Sequence, residues 1–362
     1  MNRSDPDRFD SRKWILGFFA IVLTAALVLS VAAYAIDPFL QFRVKDNAYL
    51  LRGWFVDSGL IENYDYDTLI IGSSMVQNFD MELWREKLGG KPLHIGMGAI
   101  TANEIGRLMD LAYEAGRADT YYICVDQYLL SSEADINHFP EHLLRKDLLS
   151  RLRYLLSYEV WFRYIPIDLA LMVLDRLDVT LPEKIAAKKS IDKLGDWRLD
   201  FPPGTTGREA VLRYYEKREY SVSAVNTEGL DQRMKTKIDA FMDRFSYDRG
   251  AHVFFFPPYS SLFWCDARID GYFNAYAQAK RYFAEEAAKR GAVVYDFQGA
   301  DCTLDLDNYR DTTHYLPNVS DWMIGCFADS RYLVSRDNIS VFLEQLTANA
   351  DRFRTENPDL FD

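Results

Sequence analysis

Short apolar runs alternate with stretches of helical spacing along most of the chain. Apolar runs that end at glycine or proline are typical of buried parallel strands, and apolar residues three and four positions apart are typical of helices. This pattern predicts strands at 67–71, 93–95, 121–125, 252–256 and 292–297. It predicts helices at 81–88, 102–118, 143–158, 165–177 and 273–290. Strands that alternate with helices indicate an α/β fold with a parallel sheet covered on both faces.

The stretch from about 131 to 235 interrupts this alternation. It begins with two helical segments and continues with a polar, lysine-rich section that contains glycine and proline. We interpret it as a helical insertion between core strands. The insertion lies close in sequence order to the candidate catalytic residues described below. We therefore expect it to shape a substrate groove.

A charge-free apolar segment runs from Ile15 to Ile36. Twenty-two residues extend roughly 33 Å as a helix, which is enough to cross a hydrocarbon core of about 30 Å. Pro38 ends the segment, because proline cannot continue a helix. Arg12 and Lys13 precede it, and positive charge favours the cytoplasmic side. We therefore expect a cytoplasmic N-terminus at 1–14, a single-pass membrane anchor at 15–36 and an extracytoplasmic domain at 37–362.

Two other interpretations of the apolar segment remain open. Ala33-Tyr34-Ala35 resembles a signal-peptidase site, so the segment could be a cleaved signal peptide, although it is longer than the usual 7–15 apolar residues. A buried core helix is the other alternative, and the basic flank and the length count against it.

Composition narrows the classes of function and partner. The chain has 362 residues and a net charge of −12, which argues against nucleic-acid binding because no basic stripe is present. Its four cysteines lack metal-ligand spacing, so we expect no metal site. A cofactor-binding glycine loop at 94–101 is the alternative interpretation of that segment, but the G-x-G-x-x-G spacing is absent, so we expect no cofactor. Cys124 lies in an apolar run and is expected to be a buried thiol. Cys265, Cys302 and Cys326 could supply one disulfide outside the cytoplasm.

Three segments carry candidate catalytic chemistry. Ser74 directly follows the first predicted strand, at the edge where open α/β sheets place ligands. A serine hydroxyl needs a base, and a histidine base needs a carboxylate on its other nitrogen, so Asp311 and His314 suit those two roles. Gly96 and Gly98 follow the second strand in a loop whose small residues let a backbone N–H approach a developing negative charge. The alternatives are an ordinary strand-ending turn at Ser74 and an incidental surface histidine.

These segments resemble the sequence blocks of the SGNH (GDSL-type) hydrolase superfamily. Gly72-Ser73-Ser74 is similar to its Gly-Asp-Ser block, with Ser73 in place of the aspartate, and Asp311 and His314 fall on its Asp-x-x-His block. The resemblance implies a three-layer α/β/α fold in which Ser74 is the nucleophile. It also implies an oxyanion hole formed by the N–H groups of Ser74 and of Gly96 or Gly98.

The third block of the family, Gly-x-Asn, is not evident. Cys124-Val125-Asp126-Gln127 occupies its place. Asp126, Gln127 and Asn103 are therefore the candidates for the remaining oxyanion donor.

The apolar N-terminal segment, the Gly-Ser-Ser variant and Phe256-Pro257-Pro258-Tyr259-Ser260 narrow the resemblance to bacterial envelope-modifying members. These are teichoic-acid D-alanyl-transfer proteins and alginate or cellulose O-acetylation proteins, similar over most of residues 37–330. The resemblance implies O-acylation of a cell-surface polysaccharide or teichoic acid beside a membrane-bound O-acyltransferase. The alternatives are a non-catalytic accessory or glycan-binding partner of that enzyme, and a membrane-tethered lipase with the same triad.

Overall fold

The protein is described by a computed structural model that covers residues 11–45, 53–131, 138–179, 201–217 and 228–361. It is an α/β protein built on one six-stranded sheet, with a long apolar helix at the N-terminus. The strands are β1 Thr68–Gly72, β2 Pro92–Gly96, β3 Thr120–Cys124, β4 Ala251–Phe256, β5 Val293–Asp296 and β6 Leu333–Val334.

The helices fall into three groups along the chain. Those before the insertion are α1 Ser11–Ile36, α2 Gly53–Asn63, α3 Met81–Leu88, α4 Ala102–Ala115 and α5 Gln127–Ser131. Those within it are α6 Leu148–Leu155, α7 Ile165–Arg176 and α8 Arg208–Glu216, and a π-helical turn, Val160–Tyr164, leads into α7. Those that follow are α9 Leu230–Met242, α10 Ser261–Ile269, α11 Phe273–Lys289, α12 Pro317–Ala328 and α13 Ile339–Glu356.

The strand order is β2-β1-β3-β4-β5-β6, and every pairing is parallel except that of β5 with β6. The chain leaves β1 towards β2 and then crosses back to place β3 on the other side of β1. This reversal opens a crevice at the carboxyl ends of β1 and β3. Open α/β sheets bind ligands at such a point, and Ser74 lies just after β1.

Helices cover both faces of the sheet. Successive side chains of a strand point to opposite faces of the sheet. In β4, neighbouring phenylalanines therefore contact helices on opposite faces. Phe254 meets Phe241 of α9 and Phe283 of α11, with ring centroids 6.3 and 5.2 Å away. Phe255 meets Phe327 of α12 at 5.4 Å. The sheet is therefore the middle of three layers, as predicted.

The five predicted strands are confirmed to within one residue at each end. The predicted helix at 143–158 is shorter, because Asp147 caps a new start by accepting a hydrogen bond from the Ser150 N–H at 3.0 Å. The antiparallel strand β6 was not predicted, since two residues carry no readable alternation. The four cysteines, all among the described residues, are free thiols, and Cys124 is buried as expected.

Helix α1 is long and apolar enough to be a membrane span or a signal sequence. Its last turn is built into the domain. Ala33 is fully buried in a second core cluster, separate from the main core, with Phe39, Leu143, Tyr154, Val160, Tyr164 and Ile165. Asp37 closes the junction, because its carboxylate accepts hydrogen bonds from the N–H groups of Gln41 and Phe42, both at 2.9 Å.

The described parts of the insertion lie in two places. Helices α6 and α7 pack against the end of α1. Phe201, by contrast, lies beside Ser74. Among the described residues of the insertion, Phe201 is the one that lies where a groove was expected. Residues 132–137, 180–200 and 218–227 of that stretch lie outside the described residues.

Candidate functional site

The turn that carries Ser74 is formed by small residues at the end of β1. A Cβ atom on Gly72 would lie 2.5 Å from the Cβ of Cys124 on β3, so only glycine fits this close approach of the two strands. Ser73 then caps a single 3-10 turn, Ser74–Val76, because its hydroxyl accepts a hydrogen bond from the N–H of Met75 at 3.2 Å. Ser74 is therefore held at the first position of the turn, directly above the carboxyl end of the strand.

The loop that carries His314 is held on two sides. A short bridge joins Tyr309 to Tyr315, so the loop between them is closed at its base. The hydroxyl of Tyr315 donates a hydrogen bond to the carbonyl of Met75, one residue after Ser74. On the other side, Ser260 donates two hydrogen bonds to the carbonyl of Thr312, from its N–H at 3.0 Å and its hydroxyl at 2.7 Å. These bonds fix the loop relative to the turn Ser74–Val76, which we call the nucleophile turn after the predicted role of Ser74.

The three predicted catalytic residues meet in one hydrogen-bonded line. The Oγ of Ser74 lies 2.7 Å from the Nε2 of His314, although the two residues are 240 positions apart. The Nδ1 of His314 lies 2.8 Å from the Oδ2 of Asp311. The other oxygen of Asp311 accepts the backbone N–H of His314 at 2.8 Å and that of Thr313 at 2.9 Å. No family model, curated protein or solved structure matches the chain significantly.

The electrostatics suit a serine, histidine and aspartate acting together. Burial would raise the pKa of Asp311, but the hydrogen bonds and charge of His314 outweigh it and lower that pKa to about 2. Burial would likewise lower the pKa of His314, but Asp311 and then Asp126 raise it above its ordinary value. The imidazolium form that arises when the histidine takes a proton is therefore stabilised by two nearby carboxyl groups.

Gly96 and Gly98, the predicted oxyanion donors, lie in different surroundings. A Cβ on Gly96 would approach the Cγ of Gln77 to 2.8 Å, so this glycine lets β2 pass close to the nucleophile turn. A Cβ on Gly98 would meet no atom within 4 Å, so its backbone borders open space. The N–H of Ser74 has no acceptor within its own turn, as at any helix start. The donor role of these three N–H groups stays a prediction.

Asn103 and Asp126, two of the candidates for the remaining donor, differ in how far they are exposed to solvent. Asn103 is exposed in the first turn of α4. Asp126 is fully buried just after β3. Its carboxyl accepts the hydroxyl of Tyr259 at 2.8 Å and also interacts with the hydroxyl of Ser73. Asp126 thus accepts hydrogen bonds from beneath the nucleophile turn, which differs from the predicted role of donating one to an oxyanion.

Tyr259 and Ser260 are site residues that sequence reasoning missed as such. Tyr259 holds Asp126, Ser260 holds the loop of His314, and the carbonyl of Pro258 accepts the hydroxyl of Tyr309 at 2.9 Å. The available signal was the position of Pro257-Pro258-Tyr259-Ser260 directly after β4, where it reaches the same sheet edge as Ser74. This segment therefore connects the turn that carries Ser74 with the loop that carries Asp311 and His314.

A shallow cleft opens at Ser74. It is lined by Ser74, Met75, Asn78, Phe201, Arg310, His314 and Tyr315. Arg310 extends over the ring of Phe201, with its guanidinium carbon 5.9 Å from the ring centroid, so a cation stands at the rim of the cleft. Within the described ranges, no group of histidine, cysteine and acidic side chains is arranged to hold a metal ion.

Proposed function

We propose that this chain is a membrane-anchored serine acyltransferase or esterase of the SGNH type. It would act outside the cytoplasm in O-acylation, acetyl or D-alanyl, of a cell-envelope polysaccharide or teichoic acid. The observation that carries the proposal is the 2.7 Å contact between Ser74 Oγ and His314 Nε2, with Asp311 on the other ring nitrogen. A nucleophile, its base and the orienting carboxylate are then in the order that acyl transfer requires.

The reaction would proceed through an acyl-enzyme. As Ser74 Oγ bonds to the acyl carbon of a donor, His314 Nε2 takes the hydroxyl proton, and Asp311 holds the Nδ1–H. The tetrahedral intermediate collapses when the donor's leaving group departs with the proton from His314. A polymer hydroxyl, or water, then attacks the Ser74 ester and gives its proton to His314. Collapse returns that proton to Ser74 and releases the acylated polymer or the free acid.

The continuity of α1 supports an anchor over a cleaved signal peptide. The helix runs through Ala33-Tyr34-Ala35 without a break, and Ala33 is fully buried in the second core cluster. Arg43 and Lys45 also bind the carbonyl of Ala35, at 3.0 and 3.1 Å. Cleavage after Ala35 would remove residues that the domain packs against. The cytoplasmic side of Arg12 and Lys13 rests on the positive-inside preference.

The sheet order and the position of Ser74 after its first strand support the SGNH assignment. A membrane-bound O-acyltransferase is the proposed partner, because a serine enzyme held at a membrane would receive its acyl group from a protein that spans it. No cofactor is needed for this chemistry, since the triad supplies both nucleophile and base.

The decisive experiment is active-site labelling of the full chain with a fluorophosphonate. We expect the wild-type protein to be labelled at Ser74, and Ser74→Ala and His314→Gln to lose labelling by at least a thousandfold. Ser330→Ala, a change of the same type at an exposed turn distant in sequence, is the matched control and should be labelled normally. Equal labelling of Ser74→Ala and wild type, with the adduct elsewhere, would refute the assignment.

One observation favours a second function, that of a non-catalytic accessory or glycan-binding partner. Asp126 accepts hydrogen bonds at the place where the family has a donor. An oxyanion hole short of one donor loses on the order of 10²–10³ in rate. If this function is correct, the wild-type protein stays unlabelled even with the acyltransferase present, while Ser74→Ala still supports polymer acylation in cells.

A further inference from the structure

Helix α6 presents its apolar side outward. Leu148 and Leu149 are three-quarters exposed, and Leu152 continues the same stripe one turn later. Ser150 and Tyr154, in contrast, face the interior and are buried. A helix on the surface of a globular protein normally buries its leucines and exposes its serines. The inverted order indicates that this face is covered by something apolar.

The same inversion continues in the following segments. In α7, Asp168 is buried, whereas Met172 and Val173 are more than half exposed. Between the two helices, the exposed rings of Tyr158 and Phe162 stack with centroids 4.8 Å apart. We call these residues the apolar face, with the members Leu148, Leu149, Leu152, Leu156, Tyr158, Phe162, Ile167, Leu169, Met172, Val173, Leu177 and Val179. Exposed apolar groups on this scale mark an interaction surface.

The apolar face lies at the end of α1. Helices α6 and α7 both contact α1, and the contact is made by its last turn, where Ala33 is buried. Trp14 and Tyr34 are exposed near the two ends of the apolar segment, twenty positions apart, which is roughly 30 Å along a helix. Tryptophan and tyrosine favour the two membrane–water boundaries. If Tyr34 stands at one boundary, α6 and α7 stand there too.

The α6 end of the apolar face is basic, unlike the chain as a whole. Between residues 145 and 163, five basic side chains accompany two acidic ones, whereas residues 164–179 carry one basic and three acidic side chains and the whole chain has a net charge of −12. Arg145, Arg153 and Arg163 are exposed. Apolar and aromatic side chains interleaved with basic ones are typical of helices that lie in the boundary region of an anionic bilayer.

We propose that the apolar face of residues 148–179 is inserted in the headgroup and upper acyl region of the same bilayer that α1 crosses. This inference rests on the proposed membrane anchor and is independent of the chemistry at Ser74. Two observations favour lipid over a protein partner, namely continuity with the exposed apolar surface of α1 and the aromatic boundary at Tyr34. The basic surplus of residues 145–163 adds to them at the α6 end of the face. A second attachment of this kind would fix the tilt of the domain on the membrane.

The test measures depth in the bilayer, residue by residue. Single cysteines replace Leu149, Phe162 or Met172 in the full chain with Cys302→Ala, because Cys302 is the half-buried native thiol and the other three are buried. Each variant is labelled with an environment-sensitive fluorophore and placed in nanodiscs of phosphatidylcholine and phosphatidylglycerol. Val28→Cys, in α1, is the lipid-facing control. Val341→Cys is the matched water-facing control, because it is an equally exposed apolar residue on α13.

We expect emission at the three positions to be blue-shifted and quenched at least twofold by lipids that carry a nitroxide near the headgroup. Val341→Cys should show neither effect. Water-like emission at all three positions, with blue-shifted emission at Val28→Cys, overturns the proposal and leaves the anchor intact. Protection that appears only when a second membrane protein is added overturns it in favour of a protein partner. Fluorophosphonate labelling of the same variants reports separately on Ser74.

Discussion

Asp126 gives His314, the proposed base, a second acidic neighbour. Its carboxyl contacts Tyr259 and Ser73, and its charge raises the pKa of His314, whereas Arg310 on the open side lowers it. Asp311 raises the pKa of His314 most, and the buried Asp126 and the exposed Arg310 then adjust that pKa in opposite directions. The two influences have opposite signs and lie on different loops, so each can be removed by itself.

The pH dependence of Ser74 reactivity tests this balance. His314 acts as a base when neutral, so labelling should rise with pH as the imidazolium of the folded protein loses its proton. Asp126→Asn removes a stabilising negative charge, and we expect the half-maximal pH to fall. Arg310→Gln removes a repelling positive charge, and the half-maximal pH should rise. The measurement is the rate of fluorophosphonate inactivation from pH 5 to 9.

Unchanged midpoints in both variants would show that neither group acts on His314. Tyr259→Phe serves as the control for geometry, because it removes the hydroxyl that binds Asp126 and deletes neither charged side chain. A midpoint shift in Tyr259→Phe equal to that in Asp126→Asn would assign the effect to geometry instead of charge.

The two glycines after β2 offer a matched pair of substitutions. Gly96→Ala places a methyl group 2.8 Å from Gln77 Cγ and 3.1 Å from Val76 Cγ2, so Gln77 must shift, and we expect the shift to displace the adjoining turn of Ser74. We expect a loss of about 1–3 kcal/mol in the free energy of unfolding and at least tenfold in labelling rate, because misplacement by about 1 Å can cost 10²-fold. Gly98→Ala meets no atom within 4 Å and keeps its N–H, so both quantities should stay near wild type. Thermal melting and labelling measure them, and equal effects of the two changes would contradict this difference.

Along the chain, the elements that the sequence predicts well are those with strong local signals. Strand β1 is a run of buried aliphatic residues closed by Gly72, and its bounds are confirmed to within one residue. The pairing of Asp311 with His314 is also local, since a turn of three residues brings them together. The contact of Tyr259 with Asp126 joins residues 133 positions apart and depends on β3 and β4 being neighbours. No spacing in the sequence encodes that adjacency.

The sequence also does not predict that the leucines of α6 face outward, for a related reason. Periodicity shows that Leu148, Leu152 and Leu156 share one side of a helix, but it does not say which side meets the protein. That depends on Tyr154, which donates its hydroxyl to Asp37 at 2.8 Å and so turns the opposite side inward. A polar contact with the end of α1 thus decides the orientation of the helix.

A buried ion pair joins α11 to the end of β5. The Nζ of Lys280 lies 2.5 Å from an oxygen of Asp296, both side chains are almost fully buried, and the ammonium also lies over the ring of Phe256. Removing one member leaves the other charge buried, so Lys280→Met should cost about 3–5 kcal/mol in the free energy of unfolding. Denaturant unfolding of the detergent-solubilised chain measures this loss.

Lys289→Met is the control on the same helix. Lys289 pairs with Glu286 at 2.5 Å but is two-thirds exposed, and exposed pairs contribute at most about 1 kcal/mol. The double variant Lys280→Met/Asp296→Leu should recover much of the loss, since an apolar pair leaves no buried charge. Similar losses in the two single lysine variants would mean that the buried pair contributes no more to the free energy of unfolding than the exposed pair.

For the protein as a unit, the apolar N-terminal helix is expected to remain attached after export. Its last turn belongs to the second core cluster, so its loss would expose Phe39 and Tyr164 to water. We expect mass spectrometry of the membrane-purified protein to find peptides that contain Ala33 joined to Phe39. A mature N-terminus at Ile36 would instead identify a cleaved signal peptide.

The junction at Asp37 has a mechanical consequence. A domain on a flexible linker takes up many positions and orientations above the bilayer, so its site reaches a large volume but has no fixed orientation. Here the first residues after α1 are folded back by the carboxylate of Asp37, and no slack chain separates the helix from the second core cluster. If α1 crosses a membrane, as proposed, the cleft at Ser74 is held at a fixed height and orientation above the bilayer while the molecule diffuses in the membrane plane. Under the proposed function, both the polymer substrate and the acyl donor would have to reach the cleft at that one height.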